Sequence, residues 1–298
     1  MSSKEATLLR RVTTASVAVA ILLILMKLGA TLSTNAISMM ASLIDSTMDL
    51  FASLVTLFAV RIALQPPDED HRFGHGKAEP LAALAQATFI AGSGVFLFIQ
   101  AAQRLMNPQP METADFGILV MLVSMIATAG LLIFQRYVIA RTNSPAIKAD
   151  AAHYGSDFIV NAATIAALWF TQQGAHWVDP LFGAAVGGFI LFGAWRVGRT
   201  ALDQLMDREL LDGTEEKIRQ IAHAQPEVQA VGHIRTRMSG RTPTIQLYLY
   251  LSDATPLHEA HRIGDEVIEK IQESFPTADI LLHEEPISAL PRGCAQLI

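Results

Sequence analysis

The chain has a single cysteine, Cys294, in 298 residues. One thiol closes no internal disulfide, and without a CxxC pair there is neither a cysteine zinc clasp nor a dithiol redox motif. Charge is scarce too. Asp, Glu, Lys and Arg make up 17% of the residues, against about a quarter in an average soluble protein. So apolar a chain is neither disordered nor collagen-like, and it is not an ordinary soluble enzyme. A basic surplus is also missing: 22 Lys and Arg face 28 Asp and Glu, a net charge of −6. That argues against nucleic acid as the partner.

Apolar length is what the chain does have. Apolar residues make up 51%, and mean hydropathy is +0.34. The charge divides unevenly along it. Residues 1–206 carry 13 basic and 13 acidic side chains, and residues 207–298 carry 9 and 15. An apolar, neutral body is therefore joined to an acidic, water-soluble one. The expected domains are residues 1–208 and 209–298.

A membrane-spanning helix needs about 20 mostly apolar residues. Six segments qualify: 10–33, 37–62, 79–104, 114–137, 145–172 and 178–200. Backbone groups in lipid must be paired within the segment, so these read as helices. A soluble bundle would need polar faces at helical spacing, which these runs lack. The first run follows a basic start, as a signal peptide does. It is longer than a signal core and no A-x-A cleavage pattern follows, so it reads as a retained span. One set of helix ends holds eleven Lys and Arg, and the other holds Arg104 alone. This positive-inside bias puts both termini and the acidic body in the cytoplasm. Gly183 and Gly187 form a GxxxG, read as close helix packing.

Ionisable groups inside spans carry the functional signal. Asp45 and Asp49 lie four apart in SLIDSTMDL, and His153 and Asp157 lie four apart in AAHYGSDFIV. Each pair projects from one helix face. Asp45 and Asp49 sit about 12 and 18 Å into their helix, near the middle of a core about 30 Å thick. Carboxylates there are costly unless compensated. A divalent cation compensates them: three carboxylates and one imidazole suit tetrahedral Zn²⁺, with Cd²⁺ or Fe²⁺ as N/O-site alternatives. Ligands must shed protons to bind metal, so metal-for-proton exchange follows naturally. A proton relay without metal, or a structural pairing with Lys27, would use the same side chains.

Two further regions hold candidate ligands. The loop PPDEDHRFGHGKAEP offers Asp68, His71 and His75, with a solvated charged loop as the alternative. Lys77 and Asp207 flank the membrane boundary as a possible ion pair. The acidic body reads α, then strands 230–238 and 244–251 around an SGRTP turn, then a helix over 255–275 and a strand over 278–283. That αββαβ order makes a small α+β module. It contains no glycine-rich phosphate loop and no nucleophile elbow. Its His261, His283 and Glu285 form a metal set if the second helix packs suitably on the third strand.

DSTMD, DHRFGHGKAEPLAALAQ, HYGSD, LMDREL, RTRMSG and LLHEEP together resemble the cation diffusion facilitator family over nearly the whole chain, and within it the bacterial ferrous-iron and zinc efflux pumps. The resemblance implies a homodimer in the bacterial inner membrane that exchanges cytoplasmic Zn²⁺, Fe²⁺ or Cd²⁺ for H⁺. It implies a transport site of Asp45, Asp49, His153 and Asp157, a loop site of Asp68, His71 and His75, and a dimer charge interlock of Lys77 and Asp207. The cytoplasmic module resembles a metallochaperone-like domain that binds zinc. There His261 and His283 match, and Glu285 stands where Asp is usual. Gly232 and Tyr248 replace two histidines, and His233 is displaced by one residue. One metal, or a weak site, is expected there instead of a two-metal cluster.

The residues admit rival classes. A membrane metalloenzyme would need a substrate cleft and a base beyond the four ligands. A channel would conduct without proton coupling. A metal-sensing scaffold would use the acidic module alone.

Overall fold

The computed structural model describes residues 3–34, 37–106, 115–172, 178–211 and 213–290. Cys294 and most of the far-side loop residues used in the charge-bias argument lie outside them. Contacts divide the chain into two compact units, Met1–Leu202 and Asp203–Ile298.

The first unit is built from helices α1 (Ser3–Thr34), α2 (Ile37–Ala63), α3 (Ala78–Met106), α4 (Asp115–Thr142), α5 (Pro145–Gln172) and α6 (Val178–Leu205). All six expected helices form. α1 starts earlier and α4 and α6 end later than the apolar runs do. Helical pairing continues past the apolar stretch into charged residues such as Lys4, Arg141 and Asp203, because backbone hydrogen bonds do not depend on side-chain polarity. Between α4 and α5 the chain reverses at Asn143, which has a φ of 53°. The Ser144 hydroxyl accepts from Ile147 N at 3.3 Å and so caps α5.

Burial in this unit runs opposite to that of a soluble protein. Phe51, Phe58, Ile126, Ile133 and Trp195 are exposed, while Ser16, Ser53, Thr56, Gln86, Gln135, Asp150 and His153 are buried. Apolar outside and polar inside is the pattern that hydrocarbon solvent selects. Five of the helices are long and apolar enough to cross a membrane. α5 has the length, but Lys148, Asp150, His153 and Asp157 crowd its first half. The GxxxG reading holds at close range: a Cβ at Gly187 would stand 3.2 Å from Gly94 O and 3.3 Å from Phe98 N. Backbones approach there only because no side chain intervenes.

The second unit follows the αββαβ order: α7 (Thr214–His223), β1 (Ala230–Ser239), β2 (Thr242–Leu251), α8 (Leu257–Ser274) and β3 (Asp279–Pro286). A short 3₁₀ turn at Ile287–Ala289 follows β3 and was not expected from the sequence. β1 pairs antiparallel to β2, and β2 pairs parallel to β3, so β2 is central. The hairpin turns at Gly240, whose φ of 61° suits a residue without a Cβ. Leu247, Leu249, Ile263, Val267 and Ile271 form the core where both helices cover one sheet face.

Candidate metal centre

Asp49 stands near the middle of α2. His153 and Asp157 stand one turn apart on α5. His153 Nε2 lies 3.1 Å from Asp49 Oδ1 and 3.8 Å from Asp157 Oδ2. One ligand atom from each of the three lies within 4.8 Å of the others. With Zn–N and Zn–O bonds near 2.0–2.1 Å, the edge of a zinc tetrahedron is about 3.3 Å, so the Asp49–His153 spacing fits as it stands and the wider ones must close by up to about 1.5 Å. Asp49 and His153 are buried and Asp157 is half-buried. Asp157 Oδ2 and His153 Nδ1 are buried without a hydrogen-bond partner. The orphaned Asp157 Oδ2 calls for an explanation, and its place 3.8 Å from His153 Nε2 fits a cation held between the two.

Asp45 does not join this group. It lies one turn before Asp49 on the same helix and is exposed. Lys27, weighed above as a structural partner for these carboxylates, donates instead to Ser46 Oγ at 2.6 Å and Ser42 O at 3.2 Å. Of the four expected transport ligands, the fold brings three together.

The loop ligands do converge. Asp68 Oδ1 is 3.3 Å from His71 Nδ1, and Asp68 Oδ2 is 3.3 Å from His75 Nε2. The two imidazole centroids are 4.5 Å apart. The loop is shaped by Asp68 itself, whose Oδ1 accepts from His71 N at 2.6 Å and Asp70 N at 3.1 Å. This local turn is typical of aspartate. Gly74, with a φ of 77°, reverses the chain before His75. The hydrogen bond from His71 N–H holds the Asp68 carboxyl below the ordinary carboxylate range. His75 Nδ1 is buried and unpartnered.

In the second unit the expected ligands sit apart. His283 Nε2 is 3.0 Å from Glu285 Oε1. His261, on α8, lies 3.6 Å from Asp265 of its own helix and is 75% exposed in its side chain. β3 alternates: Ile280 and Leu282 pack toward the helices, which sends His283 and Glu285 to the opposite sheet face. α8 and these two residues therefore lie on different sides of the sheet. Tyr248 pairs with His283 across strands, and its ring centroid is 4.9 Å from those of His233 and His283. An aromatic ring thus fills the space between two imidazoles. His233 reaches it from an irregularity in β1 between Gly232 and Arg235, with a φ of 50°. Asp207 accepts from Arg237 at 3.1 Å within the same unit.

Sequence reading missed a set of buried polar residues behind the centre: Ser16, Gln86, Gln135 and Asp150. Asp150 sits three residues before His153, and this helical spacing was the signal available.

Two family descriptions match the chain: the cation efflux transmembrane domain over residues 13–206 and the cation efflux protein cytoplasmic domain over residues 210–287. The chain belongs to the cation efflux family. This family comprises transporters, so the protein is a multi-pass membrane transporter and not an enzyme. A cation-efflux pump FieF from Pectobacterium carotovorum subsp. carotovorum is 44% identical over 287 residues, covering 95% of this chain and 96% of that protein. The protein of that name from Klebsiella pneumoniae subsp. pneumoniae is 42% identical over 291 residues, covering 98% and 97%. Membership in the cation efflux family covers both units.

Proposed function

We propose that this protein exports divalent transition-metal cations from the cytoplasm, with Zn²⁺ as the principal ion and Fe²⁺ and Cd²⁺ as alternatives, in exchange for H⁺. The observation that carries the reading is the buried meeting of Asp49, His153 and Asp157 from two helices. Hard carboxylate oxygens with one imidazole suit such ions. The exchange rests on one atom. His153 Nε2, which faces both carboxylates, holds either a proton or a metal ion, never both. Loading a cation displaces the proton, and returning protons release the cation. Coupling to alternating access makes the cycle vectorial.

Asp45 completes the site as a fourth ligand by changing rotamer when metal enters. Asp68, His71 and His75 form a second, exposed site on the loop. The assembly is a homodimer in a bacterial inner membrane with both termini cytoplasmic. The functional division falls at residue 208, and Lys77 and Asp207 contribute charge to the dimer near the membrane surface.

The test is Zn²⁺ flux in proteoliposomes under an imposed pH gradient. Wild-type flux should follow the gradient, and Asp49→Ala should abolish it while the protein remains folded. Flux that ignores the gradient would make the protein a channel, and unchanged flux in Asp49→Ala would remove the site from the mechanism.

A further inference from the structure

Asp150 is fully buried on α5. Its carboxyl group is held by donors from three other helices. Ser16 Oγ of α1 donates to Oδ2 at 2.8 Å, Gln135 Nε2 of α4 donates to Oδ2 at 2.8 Å, and Gln86 Nε2 of α3 approaches Oδ1 at 3.3 Å. Gln86 also donates to Ala52 O and Thr56 Oγ1 of α2, each at 2.9 Å. One turn along, the buried Tyr154 hydroxyl meets Ser53 Oγ of α2 at 2.8 Å and donates to Ser16 O at 3.2 Å.

Residues 150, 153, 154 and 157 fall within an arc of about 100° on the helix. The clamp formed by Asp150 and Tyr154 therefore grips α5 on the face that presents His153 and Asp157. Rotating the helix by about 20° would move a side-chain tip at a radius of about 6 Å by about 2 Å. That is enough to break the 3.1 Å approach of His153 to Asp49. We infer that Asp150 is a positioning residue whose hydrogen bonds to Ser16, Gln86 and Gln135 fix the rotation of α5 and so aim His153 and Asp157 at Asp49. This rests on the transport-site reading above. It gives a polar cluster that contributes no ligand atom a role in cation affinity and not just in helix association.

The experiment compares Asp150→Ala, Asp150→Asn and Ser16→Ala with wild type in full-length proteoliposomes, with Zn²⁺ as the probe and Asp49→Ala as control. Disturbing groups that orient ligands typically weakens metal affinity by about 10–100-fold. Asp150→Ala should therefore raise the KM for Zn²⁺ by about tenfold or more and change the maximal rate much less. Asparagine should rescue. Gln86 Oε1 and Gln135 Oε1 are both buried without partners, so turning one amide over presents an acceptor to the new NH₂ group. A wild-type KM in Asp150→Ala, with only folded yield or Tm reduced, would overturn the inference. So would an asparagine variant as impaired in KM as alanine. If Asp150→Ala fails to fold, Ser16→Ala decides: a raised KM supports positioning and an unchanged KM overturns it. Loss of flux in Asp49→Ala beside an unchanged KM in the Asp150 variants would sink this inference alone. Retained flux in Asp49→Ala would sink the transport site itself.

Discussion

His153 Nε2 and Asp49 Oδ1 lie 3.1 Å apart across 104 residues of chain. Two membrane helices are thereby joined through a buried pair in which either a proton or a cation must sit between nitrogen and oxygen. Asp45 stands outside that pair, so the ligands should not be equivalent. His153→Ala should cut Zn²⁺ affinity by about a hundredfold or more, because it removes the one nitrogen donor. Asp45→Ala should cost about tenfold, because water can take the place of a ligand drawn in last. X-ray absorption at the zinc edge, in an Asp68→Ala background that silences the loop site, should show one nitrogen and three oxygens both with Asp45 intact and in Asp45→Ala. Equal losses in the two variants would contradict this ranking.

The loop makes a prediction about pH. Asp68 has a value lowered from 3.8 by the His71 N–H bond and, secondarily, by the two imidazoles, against a raising contribution from desolvation. A lowered folded value means the ionised carboxylate is favoured in the native loop. Its contribution is complete above the ordinary value and is lost as pH falls through the lower one. A carboxyl ¹³C titration of the full-length protein should place the Asp68 midpoint below 3.8. A midpoint above that figure would mean the turn does not form.

Most of the helical body was legible in the sequence because lipid-facing helices announce themselves as unbroken apolar runs. The metal candidates were legible for the opposite reason, since Asp49, His153 and Asp157 interrupt those runs. Asp150 obeys the same logic, but the side chains that hold it, Ser16, Gln86 and Gln135, lie on other helices and far away in sequence. That Asp45 stays apart from the other three was also hidden: a four-residue spacing fixes a helix face, not which side chain reaches a neighbouring helix. In the small module the succession of helices and strands along the chain was readable from alternation and helical spacing. The parallel pairing of β2 with β3 and the irregularity at His233 were not, since both depend on contacts distant in sequence.

Gly187 supplies a stability prediction. The nearest atoms to an added Cβ there are Gly94 O and Phe98 N, both backbone, which cannot turn aside as a side chain can. Gly187→Val should destabilise the α3–α6 contact by about 1–3 kcal/mol, visible as a lower thermal midpoint in detergent. Gly29→Val is the control, because nothing lies within 4 Å of its added Cβ. Equal behaviour of the two variants would deny the close approach.

Tyr248 offers a gain of function. Its ring stands 4.9 Å from both His233 and His283, and His283 already lies 3.0 Å from Glu285. A phenol between two imidazoles packs well but is a poor zinc ligand, whereas a third imidazole at that point would join nitrogen donors to a carboxylate on one sheet face. Tyr248→His should add about one Zn²⁺ per chain in calorimetric titration of full-length protein whose transport and loop sites are silenced by Asp49→Ala and Asp68→Ala. Tyr248→Phe, which keeps the ring and removes the hydroxyl, should add none. If Tyr248→His binds no more zinc than its parent, the two flanking histidines cannot turn toward a shared ion, and the backbone conformation of His233, at a φ of 50°, is the first constraint to relax.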